Sequence, residues 1–199
     1  MKVAMYSGGK DSVYAAWREW PVDMFLFLVY DFSRPSPHIL NMGKAVEFGA
    51  ALAPVLVRRL TRGREFEEKA KLLRSLGVDT IVAGDVDVEE HLKYMERLAA
   101  EVGASLKEPL WGVDREELVR REVEVLEFVV IGAKRRELLC LKVDRNNVED
   151  FLQTARRLGF DPAGEFGEYH SQVVRALGAE VAVDCRPATE VGGYYIALV

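Results

Sequence analysis

The chain has 199 residues, of which 49% are hydrophobic and 30% are charged, and its formal net charge is −5. A chain of this size can bury a sizeable core as one large domain or two small ones, and its acidic balance argues against broad nucleic-acid binding. No apolar run approaches the roughly 20 residues that span a bilayer, and no basic segment followed by an apolar one predicts a signal peptide. We therefore expect a cytoplasmic protein with neither a membrane nor a nucleic acid as its partner.

The two cysteines, Cys140 and Cys185, are too few and too isolated for a disulfide framework or a CxxC zinc site. Cys140 alternates within an apolar run and is predicted to lie in the core, whereas Cys185 lies beside "RPATE" and could be exposed. Neither belongs to a group of residues typical of thiol chemistry, and a reducing cytoplasm is the simplest environment for them. Scarce Asn and Gln beside abundant charge are typical of thermophile proteins.

Short apolar runs alternate with amphipathic stretches over the first two thirds of the chain. The apolar runs predict strands at Lys2–Tyr6, Met24–Asp31, Val55–Leu60, Asp79–Asp85 and Ser105–Leu110. The other stretches predict helices at Ser12–Trp20, Asn41–Leu52, Arg64–Leu76, Val88–Val102 and after the N-cap Asp114. This alternation predicts an α/β fold, a Rossmann-like (HUP-type) five-stranded parallel sheet with helices on both faces.

The alternation stops after Leu126. The runs "EFVVIGA" and "ELLCLKVD" predict consecutive strands, and a helix is expected at about Val148–Leu158. Further strands are predicted near Val173–Ala176, Val181–Asp184 and Tyr194–Leu198. We therefore expect the parallel-sheet domain to comprise residues 1–124 and a smaller α+β domain to comprise residues 125–199.

An unusual polar segment, "SGGKDS", lies between the first strand and the first helix. It consists of Ser7, Gly8, Gly9, Lys10, Asp11 and Ser12. The two glycines allow backbone N–H groups to form an anion-binding nest, and the start of the helix adds a partial positive charge. The lysine adds a full charge, and the two serines can donate hydrogen bonds to phosphate oxygens. Since ligands of open parallel sheets bind beyond the carboxyl ends of the strands, the segment predicts a phosphate or pyrophosphate site.

Two common phosphate-binding motifs do not fit this segment. A Walker A loop would need glycine at Ala4 and a hydroxyl residue at Asp11, and a dinucleotide-binding GxGxxG from Gly8 would need glycine at Lys10. The pattern instead resembles the signature of the PP-loop ATP pyrophosphatases, which cleave ATP between the α- and β-phosphates to adenylate a substrate. The alternative interpretation is a glycine turn with a solvated lysine.

Asp11 needs a separate explanation, because a carboxylate repels phosphates unless a cation lies between them. Mg²⁺ or a substrate amine near Asp11 is therefore implied. The alternative is an aspartate in the first turn of a helix, where the helix dipole favours a negative charge.

A second glycine-rich, acidic segment, Ala163–Ser171 ("AGEFGEYHS"), lies in the predicted smaller domain. Taken alone, it is equally consistent with an ordinary polar loop. Together with the PP-loop it resembles the G-E-G-G-E-[YF]-E-T motif of the diphthine–ammonia ligase (diphthamide synthetase) family. The "TRG" at Thr61–Gly63 and the segment "VAGDVDVEEHLKYMERLAAEVGASLKEPLWG" resemble the same family.

The sequence departs from this family in the second motif. Phe166 replaces a glycine, and His170 and Ser171 replace Glu-Thr. Residues 84–91 also resemble a sister branch that carries GD…EDH and GE-x-GE-[YF]-HT, some members of which are associated with cobalamin metabolism. The ATP chemistry therefore follows from the resemblance more directly than the acceptor substrate does.

The resemblance implies an ATP-dependent, AMP-forming amide ligase that adenylates a carboxylate and aminates it with ammonia. Its implied cofactors and partners are ATP, Mg²⁺, ammonia or ammonium, and the diphthine residue of elongation factor 2. A homodimer is compatible with the sequence. The alternatives are a sister-branch ligase acting on another small carboxylate and an ATP- or AMP-binding regulator without turnover. A tRNA thiolation enzyme of the same superfamily would usually add catalytic cysteines or a zinc module.

Specific residues follow from the two motifs and from the ends of the predicted strands. The predicted ATP-binding residues are Ser7, Gly8, Gly9, Lys10, Asp11, Ser12, Tyr30, Asp31, Gly84 and Asp85. The predicted catalytic residues are Lys10, Asp11, Glu165, Glu168 and His170, and the predicted substrate contacts are Tyr169 and Ser171.

Each predicted role has a chemical reason. Lys10, expected in an exposed loop, would offset charge on the leaving pyrophosphate, and Glu165 or Glu168 would hold ammonium or a metal. His170 is expected to titrate near neutrality and to transfer a proton, although an ordinary loop histidine is an equal alternative. His91 and His38 are expected to be surface or loop residues.

Overall fold

The computed structural model describes residues 1–31 and 35–199. In chain order these residues form β1 (Lys2–Tyr6), α1 (Lys10–Arg18), β2 (Met24–Val29), α2 (Pro37–Leu40), α3 (Met42–Ala50), β3 (Val55–Arg59), α4 (Glu65–Ser75), β4 (Thr80–Val82), α5 (Glu89–Val102), β5 (Ser105–Lys107), α6 (Arg115–Val123), β6 (Leu126–Ala133), β7 (Lys142–Val143), α7 (Val148–Leu158), β8 (Tyr169–Ala176), β9 (Ala179–Glu180), β10 (Arg186–Val191) and β11 (Tyr194–Leu198). Among the described residues, no helix is long and apolar enough to cross a membrane.

The chain forms two compact units that are interleaved along the sequence. The described residues of the first unit are 1–7, 11–31 and 53–112, and those of the second are 8–10, 35–52 and 113–199. The functional division at residues 124 and 125 stays a prediction.

The first unit is built on a five-stranded parallel sheet in the order β3-β2-β1-β4-β5. Val3, Leu26 and Ile81 face a core that includes residues of α4 and α5. Ala4 and Phe25 alternate with these side chains and are also buried, so the sheet is covered on both faces. The predicted Rossmann-like α/β fold is confirmed.

The strands of this sheet are shorter than predicted at their carboxyl ends. The predicted second, fourth and fifth strands extended to Asp31, Asp85 and Leu110, whereas β2, β4 and β5 end at Val29, Val82 and Lys107. The polar residues that follow each strand lie in loops at the carboxyl edge of the sheet. This edge is where parallel sheets bind their ligands.

The second unit is built on an antiparallel sheet in the order β10-β11-β6-β8-β9, with β7 also paired to β6. The apolar face of α7 buries Phe151 and Leu152. The Phe151 ring lies edge-on to Phe128 of β6 at 6.3 Å and to Tyr169 of β8 at 5.7 Å. Aromatic packing between helix and sheet therefore forms the core of this unit.

Several predicted elements of the second unit are wrong. The run "ELLCLKVD" yields a 3₁₀ turn at Arg136–Leu138 and the two-residue strand β7, because the backbone of Cys140 takes a positive φ of 63°. Residues 181–184 form no strand, and β10 instead lies at Arg186–Val191, where most side chains are exposed. An exposed strand has no apolar alternation by which the sequence could reveal it. Part of the predicted loop before His38 is the helix α2, while Phe32, Ser33 and Arg34 lie outside the described residues.

The two cysteines form a disulfide, contrary to the expectation from their isolation in the sequence. Cys140 and Cys185 are 45 residues apart in the chain, but their Cα atoms are 5.5 Å apart in the second unit. Cys140 therefore lies in a turn and not within an apolar strand. Disulfides inside cells are rare except in hyperthermophiles. The two cysteines therefore no longer support the expectation of a cytoplasmic protein.

We predict that Cys185→Ser lowers the free energy of unfolding by about 2–4 kcal/mol, because the closed loop no longer restricts the unfolded chain. Urea unfolding of the oxidised protein and of the variant measures the difference. Dithiothreitol should lower the midpoint of the wild type and leave that of the variant unchanged. A wild-type midpoint that does not respond to dithiothreitol would show that the bond does not stabilise the fold.

Candidate functional site

The first unit brings Ser7 and Ser12 together at the end of β1. The backbone N–H of Ser7 donates to the hydroxyl oxygen of Ser12 at 3.3 Å, and the two hydroxyl oxygens are also 3.3 Å apart. Two of the predicted phosphate contacts thus lie side by side where β1 ends and α1 begins.

Asp11, Gly84 and Asp85 also lie together in the first unit. A β-carbon on Gly84 would lie 2.8 Å from the backbone oxygen of Asp11, so this position requires glycine to let the loop after β4 approach α1. The carboxylate of Asp11 is close enough to raise the pKa of Asp85. These predicted nucleotide residues therefore share the edge of the sheet between β1 and β4, where the strand order reverses.

Asp85 forms a carboxyl pair with Glu108, a residue that the sequence did not single out. Its backbone N–H donates to Oε2 of Glu108 at 3.2 Å, and its Oδ1 lies 3.4 Å from Nδ1 of the exposed His91. Burial raises the pKa of Asp85, and burial together with the Asp85 carboxylate raises the pKa of Glu108 to about 8. At neutral pH the pair therefore retains a proton.

Tyr30 and Asp31, two of the predicted ATP-binding residues, follow β2 directly. The Asp31 carboxylate accepts a hydrogen bond from Arg59 at 2.8 Å, and both side chains are exposed. The Tyr30 ring faces the ammonium of Lys69, and burial raises the pKa of the Tyr30 hydroxyl. Lys69 is a second residue that the sequence analysis missed.

Lys10 is buried in the second unit, which contradicts its expected place in an exposed loop. It begins α1, is 1% exposed, and its Nζ lies 3.2 Å from Oε2 of Glu122, which is 0% exposed. Glu122 lies on the buried face of α6 with Leu118 and Val119. A carboxylate on an apolar helix face requires a cationic partner. The position of Glu122 among apolar residues was therefore a feature of the sequence that could have indicated a buried ion pair.

The centre of the SGGKDS segment is hydrogen-bonded to β8 within the second unit. The N–H of Lys10 donates to the hydroxyl oxygen of Ser171 at 3.1 Å, and the N–H of Val173 donates to the carbonyl of Gly8 at 2.8 Å. The structure thus brings Lys10 and Ser171 of the two predicted motifs into contact. Gly8 has a φ of +80°, and a β-carbon there would lie 2.6 Å from Cβ of Ala45, so glycine is required.

Gln172 lies beside this contact and was also missed. It is fully buried, its amide nitrogen donates to the carbonyl of Val173 at 2.9 Å, and its Oε1 would lie 2.9 Å from a β-carbon on Gly8. The oxygen itself has no hydrogen-bond partner among the described residues. A buried acceptor without a donor lowers the stability of the fold.

Hydrogen bonds between backbone N–H groups and carboxylates order the loop that carries Glu165 and Glu168. The N–H of Glu165 donates to Asp161 at 2.9 Å, and the carboxylate of Glu168 accepts from the N–H of Phe166 at 3.1 Å. Phe166 is 60% exposed, and the guanidinium carbon of Arg115 lies 4.6 Å from its ring centroid. The roles of Glu165 and Glu168 toward ammonium stay predictions.

Tyr169 and His170 lie in β8 and not in a loop. Tyr169 is buried, and its hydroxyl donates to the carbonyl of Pro162 at 2.7 Å, so its position gives no support to a substrate contact. His170 contacts the hydroxyl of Tyr194 through Nδ1 and lies edge-on to His38 at 5.2 Å. Burial lowers the pKa of His170 to about 4, so the expected titration near neutrality is wrong.

Comparison with known proteins gives the family. A model of the diphthamide synthase N-terminal domain matches residues 1–106. The chain belongs to the diphthamide synthase family. This family is of the PP-loop, ATP-utilising class of enzymes. No curated protein sequence matches the chain significantly.

A solved structure is similar over most of the chain. It is described as a predicted subunit of tRNA methyltransferase from Methanocaldococcus jannaschii, and the similarity covers 92% of this chain and 98% of that one. The sequence identity is 15% and the TM-score is 0.45. At these values the similarity has no bearing on function.

We predict that Lys10→Met and Glu122→Leu each lower the free energy of unfolding by about 3–5 kcal/mol, because each leaves one charge buried without its partner. The double variant should recover a large part of this loss, since both charges are then gone. Urea unfolding of the four proteins measures the coupling. Additive losses would show that the two side chains do not stabilise each other.

We predict that the contribution of Glu108 to the stability of this diphthamide synthase family member falls as the pH rises from about 4.5 to about 8. In that range Glu108 is ionised in the unfolded chain but keeps its proton in the fold, so the unfolded state binds fewer protons. Glu108→Gln should flatten the curve and be more stable than the wild type at pH 8 to 9. Thermal unfolding between pH 4 and 9 measures this, with Glu96→Gln on the exposed side of α5 as the matched control. Parallel curves for the wild type and Glu108→Gln would refute the shared proton.

Proposed function

We propose that this protein is an ATP-dependent, AMP-forming amide ligase, and that its acceptor is the diphthine residue of elongation factor 2. The observation that carries the proposal is the meeting of Asp11, Gly84 and Asp85 at the edge of the sheet between β1 and β4. Open parallel sheets bind nucleotides at such a reversal of strand order. The family match over residues 1–106 supports the same chemistry.

The buried position of Lys10 changes how the SGGKDS segment would hold the leaving pyrophosphate. Because the charge of Lys10 is matched by Glu122, the attraction would come from the backbone around Gly8 and Gly9, the start of α1 and the serine hydroxyls. Backbone N–H groups and a helix start are sufficient for an anion site.

The proposed reaction has two steps. In the first, a carboxylate oxygen of the acceptor attacks the α-phosphorus, the bond to the bridging oxygen of the β-phosphate breaks, and pyrophosphate leaves. In the second, the nitrogen of ammonia attacks the acyl carbon, the carbon–oxygen bond to AMP breaks, and the nitrogen loses a proton. The protein would contribute mainly by positioning the groups and by stabilising the charge that develops.

Mg²⁺ fits this arrangement as an ion that arrives with the nucleotide. Among residues 1–31 and 35–199, no group of three His, Cys, Asp or Glu side chains is arranged to hold a metal by itself. Mg²⁺ is usually bound by one or two carboxylates together with substrate phosphates. Asp11 and Asp85 would supply those carboxylates, and the ion would neutralise phosphate charge. The proposal also places the protein in the cytoplasm, where elongation factors act.

The second candidate function is an ATP- or AMP-binding regulator without turnover. The ion pair between Lys10 and Glu122 favours it, because the cation expected to stabilise the leaving pyrophosphate is already neutralised. The departures of the second motif at Phe166, His170 and Ser171 favour it as well. The sister-branch ligase, acting on another small carboxylate, differs from the main proposal in its acceptor.

The protein, incubated with ATP, Mg²⁺, ammonium and diphthine-bearing elongation factor 2, should release AMP and pyrophosphate and convert the factor to its amide. Asp11→Asn should lower AMP release by about 10²-fold, because a charge that organises the phosphates is lost. Asp150→Asn, at an exposed position in the first turn of α7, is the matched control and should have no effect.

The products separate the candidate functions. Release of AMP without the factor would move the proposal to another carboxylate. Saturable ATP binding without AMP release under any of these conditions would favour the regulator. Release of ADP would contradict the PP-loop chemistry altogether.

A further inference from the structure

Lys69 of α4 is a buried lysine whose ammonium lies close to two aromatic rings. It is 4% exposed, and its Nζ lies 4.5 Å from the ring centroid of Tyr94 and 5.3 Å from that of Tyr30. Aromatic faces attract a cation, but they do not use its three N–H donors. An anionic ligand would supply acceptors for these donors.

Burial and the neighbouring carboxylates together determine whether Lys69 is charged at pH 7. Glu65 of its own helix and Asp85 after β4 favour the charged form, but burial outweighs both and lowers the pKa of Lys69 to about 8. Burial raises the pKa of the hydroxyls of Tyr30 and Tyr94, so both rings are neutral near pH 7. Most of the Lys69 side chains therefore carry a charge at pH 7, and an anion is the ligand that fits them.

The position of Lys69 indicates which anion it would bind. It lies between Tyr30, which follows β2, and the neighbourhood of Asp85, which follows β4, in the first unit. In the binding mode that we propose, the nucleoside lies at the end of β2 and the leaving pyrophosphate lies beside Ser7 and Ser12 at the end of β1. The phosphate between those two parts of ATP is the α-phosphate.

We propose that the ammonium of Lys69, between the rings of Tyr30 and Tyr94, binds the α-phosphate of the nucleotide. This inference rests on the proposed function, and it gives Lys69 a role at the α-phosphate that differs from the role at the pyrophosphate predicted for Lys10. When the acceptor carboxylate attacks, negative charge increases on the oxygens of the α-phosphoryl group. A cation bound to that phosphate would stabilise the charge.

Calorimetric titration of wild type and Lys69→Met with ATP, AMP and inorganic pyrophosphate tests this assignment. AMP carries the α-phosphate alone, and pyrophosphate represents the leaving group alone. Lys69→Met should weaken AMP and ATP binding at least about tenfold, which corresponds to the loss of a charge-assisted hydrogen bond, and should leave pyrophosphate binding unchanged. Lys71→Met, at an exposed position of the same helix, should match the wild type for every ligand.

The pH dependence provides an independent readout. AMP affinity of the wild type should fall at least about fivefold between pH 7.5 and 9.5 as Lys69 loses its proton, while the phosphate of AMP, with a pKa near 6, stays fully charged. Lys69→Met should show no such decline. Thermal unfolding checks that the variant is folded, and Lys69→Gln serves as a second variant.

Three other outcomes would each contradict part of the proposal. Unchanged AMP binding in both Lys69 variants would remove Lys69 from the site while leaving the ATP proposal intact. Loss of pyrophosphate binding with unchanged AMP binding would refute the assignment to the α-phosphate. A wild type that binds neither ATP nor AMP would refute the proposed function itself.

Discussion

The position of the SGGKDS segment depends on the buried ion pair between Lys10 and Glu122. Two charges buried away from water are tolerated only as a pair. Glu122 therefore holds the side chain of Lys10 within the second unit. The hydrogen bonds from Lys10 to Ser171 and from Val173 to Gly8 fix the backbone of the segment next to β8. A segment that looks like a flexible glycine loop in the sequence is therefore held firmly in the fold.

Because Lys10 is paired with Glu122, the positive charge of the proposed nucleotide site has to come from other groups. The backbone around Gly8 and the start of α1 provide partial charges, and neither depends on a side chain. In the first unit Lys69 carries a full charge that no carboxylate of the described residues hydrogen-bonds. The carboxyl pair of Asp85 and Glu108 keeps a proton near neutral pH, which limits the negative charge that a nucleotide would meet there.

Local patterns in the sequence predicted the first unit well. Continuous apolar runs identified the strands from β1 to β5. In the second unit Asp114 was correctly predicted as the N-cap of α6, where it accepts from the N–H of Glu117. Features that depend on distant residues could not be predicted. Glu122 is 112 positions from Lys10, and Cys185 is 45 positions from Cys140. The low pKa of His170 arises from burial in the folded chain, and β10 is too exposed to leave an apolar pattern.

Transfer of an oxygen isotope tests whether a carboxylate attacks the α-phosphorus of ATP. An acceptor whose carboxylate carries ¹⁸O would be incubated with the protein, ATP, Mg²⁺ and ammonium, and the AMP would be analysed by mass spectrometry. In the proposed mechanism one carboxylate oxygen stays on the phosphorus when ammonia displaces AMP, so the AMP should contain ¹⁸O. AMP without the label, or the label retained entirely in the acceptor, would contradict an acyl-adenylate and with it the ligase.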